Sequence, residues 1–575
     1  MLPFLQKLPF LVELFLNGSF IGFYALNSRD KLPSSWGPDI VYYVLEMGAF
    51  LVPFVIFFTV VVNYLNSKGL DDYIRKYIFS LVVFVPLLIT WGDIEFAFWL
   101  SAAHLLSSIM ALYDNDYAGE ETSMQAQFNF FDKIKLSPAQ IVLLTFCGVI
   151  LTGTFLLMLP VSSASGQSLS FIDGLFMSTS ATCVTGLATK SLGTDFSFFG
   201  QIVILILIQI GGLSIMTLYS SMAILLGKSM GMGERIRMQD LLEVSSLEEL
   251  IGMILSIIKY TFLIELWGGI VLTIAFTFDG FEFSKAIYYG FFHSISAFCN
   301  AGFSLFDSSL EGYATNPLIS GTIMILITLG GVGFIVLREI TEVITKKRTI
   351  LHFTLHTKIV LVTSIILTLS GAVFIFFSEF LNSLDPYNLW EKSLISLFQS
   401  VTLRTAGFNT ISLSNLNSYT IYGMALFMFI GASPGSTGGG VKTTTLAILI
   451  QSIRATLKGK KTITVFDRTI SNQIIVKVTA LTFISLCITS LFILILMNIE
   501  SEQAFLPLFF EVISASGTVG LSLGITGVLS VAGKVAISLL MLIGRIGPLT
   551  LVLAIGEQTK STGKIEYPEG RMMIG

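Results

Sequence analysis

The sequence predicts an all-α polytopic membrane protein in which four helix–pore-loop–helix repeats surround a central pore, with extra N-terminal transmembrane helices before them. Of its 575 residues, 53% are hydrophobic and only 12% are charged, about half the charged share of a soluble domain. Apolar runs of about 20 residues recur, each long enough to cross a bilayer. A short motif ending in glycine also occurs four times, about one hundred residues apart, which indicates internal duplication.

Residues 1–130 are predicted to form an N-terminal transmembrane extension and linker. Apolar segments predict three membrane helices and a shorter fourth, and a polar, acidic stretch at 113–127 follows as the linker. The predicted helices are 8–26, 41–65, 77–100 and 98–112. The chain begins without a basic region or a small-residue cleavage site, so we expect no removable signal peptide and the first segment to remain as an anchor.

From residue 131 onward, a long outer helix, a half-length helix, the glycine motif and a long inner helix follow one another four times. The pore repeats are 131–228, 229–346, 347–461 and 462–575, the last with a C-terminal tail. The predicted helices are 138–160, 172–180 and 199–226; 251–278, 286–296 and 318–344; 359–381, 390–400 and 419–457; and 474–497, 504–514 and 531–555. Non-helical backbone at membrane depth must be buried in protein or line a water-filled path, so four half-length helices indicate a lumen.

Charge predicts the orientation of these repeats. The loops that join one repeat to the next are basic, whereas the loops between outer and half-length helices carry few cations. The basic loop residues are Lys228, Arg235 and Arg237; Lys346, Lys347, Arg348 and Lys358; and Arg454, Lys458, Lys460, Lys461 and Arg468. By the positive-inside rule the repeat junctions are cytoplasmic, and the glycine motifs enter from outside.

The glycine motif offers backbone oxygens to a cation. Its four copies begin at Ser180, Ser296, Ser400 and Ser514. A desolvated monovalent cation needs oxygens in place of its water shell, and backbone carbonyls supply them without fixed charge. Glycine permits the unusual turn and the close approach. The candidate donors are Val184, Thr185, Gly186, Asn300, Ala301, Gly302, Thr405, Ala406, Gly407, Thr518, Val519 and Gly520. One copy alone would favour simple helix packing; four equivalent copies favour a potassium filter.

Several sequence words carry a family resemblance. They are Gln209-Ile210-Gly211-Gly212-Leu213, Gly330-Gly331-Val332-Gly333-Phe334, Leu355-His356-Thr357-Lys358, Arg404-Thr405-Ala406-Gly407-Phe408-Asn409-Thr410, Gly517-Thr518-Val519-Gly520-Leu521 and Gly544-Arg545-Ile546-Gly547-Pro548. With them, the chain from about residue 133 resembles the Trk/Ktr/HKT superfamily of potassium transporters, most closely the KtrB-type membrane subunit of bacterial Ktr systems. Cys183, Cys299 and Leu403 depart from the family's usual residues.

The resemblance implies potassium as substrate, because Gly186 stands where more sodium-permeable members carry serine. It also implies sodium as a candidate activator, a homodimer with the C-terminal segment at its interface, and a cytosolic nucleotide-binding ring subunit of the KtrA/TrkA type. The expected location is the bacterial plasma (inner) membrane, in contact with lipid. We expect no enzyme activity, no covalent cofactor and no nucleic-acid partner; the net charge of −4 gives no sign of one.

The inner helix of repeat three is interrupted by a stretch rich in glycine, residues 431–440, which we call the intramembrane loop. Glycines together with Pro434 cannot keep a helix ladder, and we expect this loop to cross the ion path as a gate, as the resemblance also implies. The predicted gating residues are Gly431, Ser433, Gly435, Gly438, Gly439, Gly440, Lys442 and Arg545. We expect only this inner helix to be broken.

Arg545 lies within the last inner helix. A cation centred in a membrane costs ~2.5–3.5 kcal/mol, so this side chain should face the interior. Two hypotheses stay open: Arg545 forms an electrostatic barrier near the intramembrane loop, or it neutralises a carboxylate such as Glu511 or caps carbonyls of the broken helix. Arg404, beside the third glycine motif, is expected to brace the filter.

Other functions are less consistent with the sequence. A rocking secondary transporter of another small solute or cation would have broken helices in matched pairs around a midplane site. A membrane enzyme would need clustered acids and bases, whereas Glu46, Glu265 and His293 are scattered. The loop lacks the order of residues of a phosphate-binding loop. His352 and His356 have no acidic third ligand nearby and are expected to be structural, and the four cysteines lack metal or redox spacing.

Overall fold

The computed structural model describes residues 138–213, 247–345, 353–460 and 462–547, together with short helical stretches between residues 16 and 105. The chain divides into two compact units, Met1–Leu136 and Ser137–Gly575. In the first unit the described residues are helical and form a small apolar cluster that includes Leu45, Val52 and Ile56. Helical residues at 97–105 continue through position 100, where one predicted helix was expected to end. The predicted linker at 113–127 lies outside the described residues.

The second unit contains fourteen described α-helices in the predicted order of long and half-length elements. They are α1 (Pro138–Met158), α2 (Phe171–Thr182), α3 (Phe198–Leu213), α4 (Leu247–Phe278), α5 (Phe283–Phe298), α6 (Pro317–Val332), α7 (Phe334–Thr345), α8 (Leu355–Glu379), α9 (Leu389–Thr402), α10 (Ser418–Phe429), α11 (Thr443–Leu457), α12 (Asn472–Ile499), α13 (Phe505–Gly517) and α14 (Val531–Ile546). The ends predicted for inner helices one and four, after residues 213 and 547, lie outside the described residues.

Polar caps start several of these helices. Ser170 accepts a hydrogen bond from the Asp173 amide at the start of α2, and Ser530 does the same for Gly533 at the start of α14. Asn388 forms a reciprocal capping box with Glu391 at the start of α9. Such caps satisfy amide groups that have no partner within the helix, so these half-length and inner helices begin at defined residues.

The helices are long and apolar in the way that a membrane requires. Among the described residues, α8, α12 and the Ser256–Phe278 part of α4 could each cross a bilayer, and the bent α6–α7 pair would be a fourth span. The half-length helices lie inside: in α2, residues such as Phe176 and Ser180 are fully buried. The predicted all-α polytopic fold is confirmed.

The inner helix of repeat two is broken, so the prediction of a continuous helix over 318–344 was wrong. α6 and α7 meet at 104°, and Gly333 between them has φ of 102°, a conformation that favours glycine. The carbonyls of Gly330 and Gly331 accept hydrogen bonds from the amides of Thr437 (3.2 Å) and Ser433 (3.0 Å) in the intramembrane loop. Because the loop supplies partners for these carbonyls, α6 need not continue. Two inner helices are therefore broken among the described residues, where we expected one.

A small β-hairpin, which was not predicted, joins repeats three and four. Its strands β1 (Ile463–Val465) and β2 (Arg468–Ile470) pair antiparallel, with Ile463 opposite Ile470. The two turn residues, Phe466 and Asp467, both have positive φ, which is the backbone of a two-residue hairpin turn. The buried strand residues pack with Ala455 of α11.

Candidate filter and gate

The four glycine motifs form turns with the same unusual backbone. In each turn the residue two positions before the glycine has positive φ, although it is not glycine, and the glycine itself has φ between 70° and 97°. These residues are Val184 (56°), Asn300 (60°), Thr405 (63°) and Thr518 (51°). Backbone of this kind is costly and persists where the surroundings hold it, commonly at ligand sites. The four turns are therefore equivalent in conformation as well as in sequence.

The four turns meet in a closed ring. Each glycine lies against the carbonyl oxygen that precedes the glycine of the next repeat. These contacts join Gly186 to Ala301, Gly302 to Ala406, Gly407 to Val519 and Gly520 to Thr185. A Cβ atom added at Gly302 or Gly407 would lie 2.7 Å from that oxygen, a distance that real Cβ atoms essentially never show. The order of contacts is one to two, two to three, three to four and four to one, so repeats two and four lie diagonally opposite each other.

Serines of the half-length helices hold the turns. The Ser180 carbonyl accepts from the Thr185 amide at 2.8 Å, and its hydroxyl accepts from the Gly186 amide at 3.1 Å. Ser514 makes the same two bonds to Val519 and Gly520, at 2.8 and 3.0 Å. Each bond satisfies an amide of the turn from a buried helix end, which fixes the glycine relative to the helix.

The third turn is held to its outer helix by a serine at a different distance from the filter glycine. The Ser400 hydroxyl donates to the Thr368 carbonyl of its outer helix at 2.6 Å. Ser178 and Ser294 make this bond in repeats one and two, each at 2.7 Å. Ser400 therefore corresponds to Ser178 and Ser294, not to Ser180, and the third turn is one residue shorter than the others.

A cavity of about 370 Å³ opens above the ring, and all four glycines line it. The charged side chains of its lining are Lys190 and Asp307. Asp307 accepts hydrogen bonds from Ser191 and Thr194, which ties the first and second outer loops together. We call this cavity the vestibule.

A hydrogen bond just after the third turn links the outer loops of repeats two and three. Asn409 donates to the Glu311 carboxylate at 2.8 Å. Burial raises the pKa of the Glu311 carboxyl above its usual value, and the hydrogen bond from Asn409 opposes this shift. The outer loops of repeats two and three are therefore linked directly beside the vestibule.

The intramembrane loop lies against the opposite end of the turns. The Gly439 amide donates to the Thr518 hydroxyl at 3.1 Å, and the Thr437 hydroxyl donates to the Phe298 carbonyl at 3.2 Å. Gly438 lies directly against the Thr405 hydroxyl. The loop thus contacts repeats two, three and four at once, as a plug below the ring would.

The loop is also folded on itself and joined to α7. The Gly431 amide donates to the Val441 carbonyl at 2.8 Å, and the Lys442 ammonium donates to the Gly438 carbonyl at 2.8 Å. The Phe334 amide at the start of α7 donates to the Gly435 carbonyl at 2.9 Å. The loop and the bend in repeat two therefore form one hydrogen-bonded unit.

The Arg545 guanidinium joins the loop to repeat one. It donates to the Thr437 carbonyl in the loop and to the Gly211 carbonyl near the end of α3. Glu511 is not its partner; that carboxylate accepts from Ser522 and Thr526. The alternative in which Arg545 neutralises Glu511 is therefore wrong, and carbonyl capping matches the contacts.

Sequence reasoning missed the role of the inner-helix glycines. Gly211, Gly330 and Gly544 lie against the carbonyls of Thr182, Phe298 and Ser516, where any Cβ would collide. They let each inner helix approach the end of its half-length helix. The signal was present, because each of these glycines belongs to a sequence word at a similar distance after its motif, but those words were used only as family markers.

Two further predicted residues have less defined surroundings. Arg404 is buried, and its Nε and Nη2 atoms have no hydrogen-bond partner among the residues that the structure describes, so its bracing role stays a prediction. His356 lies in the first turn of α8, while His352 lies outside the described residues. In the described part of the chain, no three His, Cys, Asp or Glu side chains group closely enough to hold a metal ion.

Comparisons with known proteins agree with this architecture. A family model described as TrkH, cation transport protein, matches residues 125–564. The chain is 39% identical to Ktr system potassium uptake protein B of Bacillus subtilis, covering 77% of this chain and 98% of that relative. It is 35% identical to the potassium/sodium uptake protein NtpJ of Enterococcus hirae, with the same coverage of each chain. The crystal structure of the potassium transporter TrkH from Vibrio parahaemolyticus matches with a TM-score of 0.58 and 18% identity, over 90% of this chain and 98% of that one.

Proposed function

This chain belongs to the TrkH family of cation transport proteins, and from that premise we propose that it carries potassium into the cell through a channel-like pore. The observation that supports this most strongly is the closed ring of four turns, because one chain thereby surrounds one axis with backbone oxygens. The long apolar helices make it a multi-pass membrane protein.

The proposed filter consists of the three residues up to and including each glycine. Their carbonyls replace the hydration shell of potassium, and the closest oxygens in the ring are those of Thr185, Ala301, Ala406 and Val519. A side chain at any of these glycines would force the neighbouring carbonyl to shift, because a Cβ there would lie 2.7 Å or less from its oxygen. The glycines therefore set how closely the four turns approach one another around the axis.

The proposed gate is the intramembrane loop held by Arg545. The loop is hydrogen-bonded to the turns above it and to α6 beside it, and the guanidinium fastens it to α3. Opening requires these bonds to break together, so a signal that displaces any one of these contacts would favour conduction. The positive charge of Arg545 adds an electrostatic barrier in the same place.

Membrane potential is the proposed driving force. It contributes ~2.3 kcal/mol per elementary charge per 100 mV, so inward movement of potassium needs no hydrolytic machinery, and we assign the chain no enzymatic role. We further propose sodium as an activator, assembly as a homodimer, and regulation by a cytosolic nucleotide-binding ring subunit. The name of one relative, a potassium/sodium uptake protein, supports the sodium part of this proposal, and the name of the other, protein B of a Ktr system, fits a system of more than one component. The homodimer and the nucleotide-binding ring rest on the family resemblance alone.

Rescue of a cell that lacks potassium uptake, grown at low potassium, tests the proposal. The wild-type chain should restore growth and potassium accumulation. Gly186→Ser should abolish rescue or raise sodium uptake, because its Cβ meets the Ala301 carbonyl and its φ is 97°. Gly312→Ser is the matched control, because nothing lies within 4 Å of a Cβ at Gly312. Absence of potassium uptake by membranes containing the folded wild-type protein would refute the function.

A further inference from the structure

One position of the half-length helices is equivalent in all four repeats. It directly precedes Ser178, Ser294 and Ser400, the serines that bond to the outer helices, and it lies three residues before Ser514 in repeat four. The four side chains there are fully buried. They are Met177, His293, Gln399 and Glu511.

In repeats two and four this position holds the chain just beyond the filter. His293 Nε2 lies 3.0 Å from the Ser304 hydroxyl, and Glu511 Oε2 lies 2.7 Å from the Ser522 hydroxyl. Both serines follow their filter glycine by two residues, and both line the vestibule. In both repeats, a buried side chain of the half-length helix is therefore hydrogen-bonded to a serine hydroxyl at the outer side of the filter.

The hydrogen-bond pattern orients both hydroxyls the same way. His293 Nδ1 lies 2.7 Å from the Tyr289 carbonyl, so Nδ1 carries the proton and Nε2 accepts from Ser304. The Glu511 carboxylate accepts from Ser522. Each serine oxygen also accepts the amide two residues later, from Phe306 at 3.0 Å and from Gly524 at 3.1 Å. Both hydroxyl protons therefore point back into the protein, and one lone pair remains on each serine oxygen for the vestibule. The Thr526 hydroxyl lies 2.9 Å from the Ser522 oxygen, but its proton goes to Glu511 Oε1.

The other two repeats lack this arrangement. In repeat one, Met177 and the vestibule residue Ala188 belong to one apolar cluster. In repeat three, the buried Gln399 amide has no hydrogen-bond partner among the described residues, and Asn409 instead bonds to Glu311. Since repeats two and four are diagonally opposite, the two oriented hydroxyls face each other across the ring.

We propose that His293 and Glu511 are positioning residues for ion selectivity, which hold Ser304 and Ser522 as a diagonal pair of oxygen acceptors at the outer mouth of the filter. The pair would receive a potassium ion as it loses its first waters, one layer above the carbonyl ring. This rests on the proposed potassium function. Glu511 and His293 act through the serines and do not touch the ion.

The test is the ratio of potassium to sodium flux into liposomes containing the purified full-length protein. Ser522→Ala removes one acceptor, and Glu511→Met copies the apolar residue of repeat one. Each should lower the ratio about fivefold, the change expected from the loss of one ordinary hydrogen bond, while potassium flux itself persists. The double variant should be no worse than either single one, because both changes remove the same contact.

Three controls keep the outcome decisive. Met177→Leu, at the equivalent apolar position, should leave the ratio unchanged, and Glu511→Gln, which still offers an acceptor to Ser522, should retain most of it. Ser522→Ala is a vestibule-lining change and serves if Glu511→Met fails to fold. An unchanged flux ratio in folded Ser522→Ala and Ser304→Ala protein would overturn the proposal. If the wild-type protein itself shows no potassium flux, the pore function is refuted instead.

Discussion

Substitution of Arg545 should release the gate. The guanidinium makes two charge-assisted hydrogen bonds, one to the Thr437 carbonyl in the loop and one to the Gly211 carbonyl in repeat one. A bond to a charged group contributes ~1.5–3 kcal/mol, and only the Thr437 bond attaches the loop directly, so Arg545→Met removes ~1.5–3 kcal/mol of loop attachment when nothing replaces it. Pore water will replace part of this. Even the loss of ~1.4 kcal/mol shifts the balance of open and closed loop tenfold.

The assay is potassium flux into liposomes under a fixed potential, without any other protein. Arg545→Met should raise flux about tenfold or more. Arg545→Lys separates the hydrogen bonds from the positive charge, because lysine keeps the charge but lacks the planar fork of donors. Flux above wild type in this variant would assign the gating effect to the hydrogen bonds. Flux equal to wild type would assign it to the charge. Arg338→Gln, which breaks an exposed ion pair with Glu342 on α7, is the control cation. Unchanged flux in Arg545→Met would refute the reasoning.

Two further predictions concern the loop and the ring. Gly438→Ala places a Cβ against the Thr405 hydroxyl, so the loop must shift and basal potassium flux should rise, with partial reversal by Thr405→Ala; flux equal to wild type would contradict a loop seated below the turns. Lys534 and Asp173 form a 2.8 Å ion pair between repeats four and one, each 15% exposed. Lys534→Met should lower the free energy of unfolding in detergent by about 1–3 kcal/mol. The ratio of potassium to sodium flux should not change. If Asp173→Asn, combined with Lys534→Met, lowers the stability by a further amount equal to its own single effect, the two residues do not act as a pair.

The repeated elements were predictable because their signals are local. Half-length apolar helices followed by a glycine are visible in any one copy, and the outer and half-length helices lie within four residues of their predicted bounds. The intramembrane loop was also visible, since Pro434 and a run of glycines cannot remain helical. The fold class therefore followed from spacing and composition alone.

The break at Gly333 could not be predicted in the same way. Three glycines in an apolar helix are equally typical of close helix packing. The amides that donate hydrogen bonds to the Gly330 and Gly331 carbonyls come from the loop of another repeat, more than 100 residues later in the chain. The β-hairpin was missed because Phe466 and Asp467 are not the glycine or asparagine that usually mark such a turn.

The geometry of the site depended on contacts distant in sequence. The partners of Arg545 lie 108 and 334 residues away along the chain, so no pattern around Arg545 could distinguish capping from neutralisation. The correspondence of Ser400 with Ser178 and Ser294 could be assigned only from its bond to the outer helix, because sequence spacing does not show at which position the third turn is shorter.

All four quarters of the ring are encoded in a single polypeptide, and this has a genetic consequence. In a channel assembled from four identical subunits, a cell with one normal and one altered allele makes many mixed tetramers, and a single altered subunit can inactivate each of them. Here one chain supplies the whole ring, so each pore is either wholly normal or wholly altered at a given turn, even in a dimer of one normal and one altered chain. A cell expressing both alleles should therefore show conduction proportional to the normal gene dose, and each turn is free to diverge without the same change appearing in the other three.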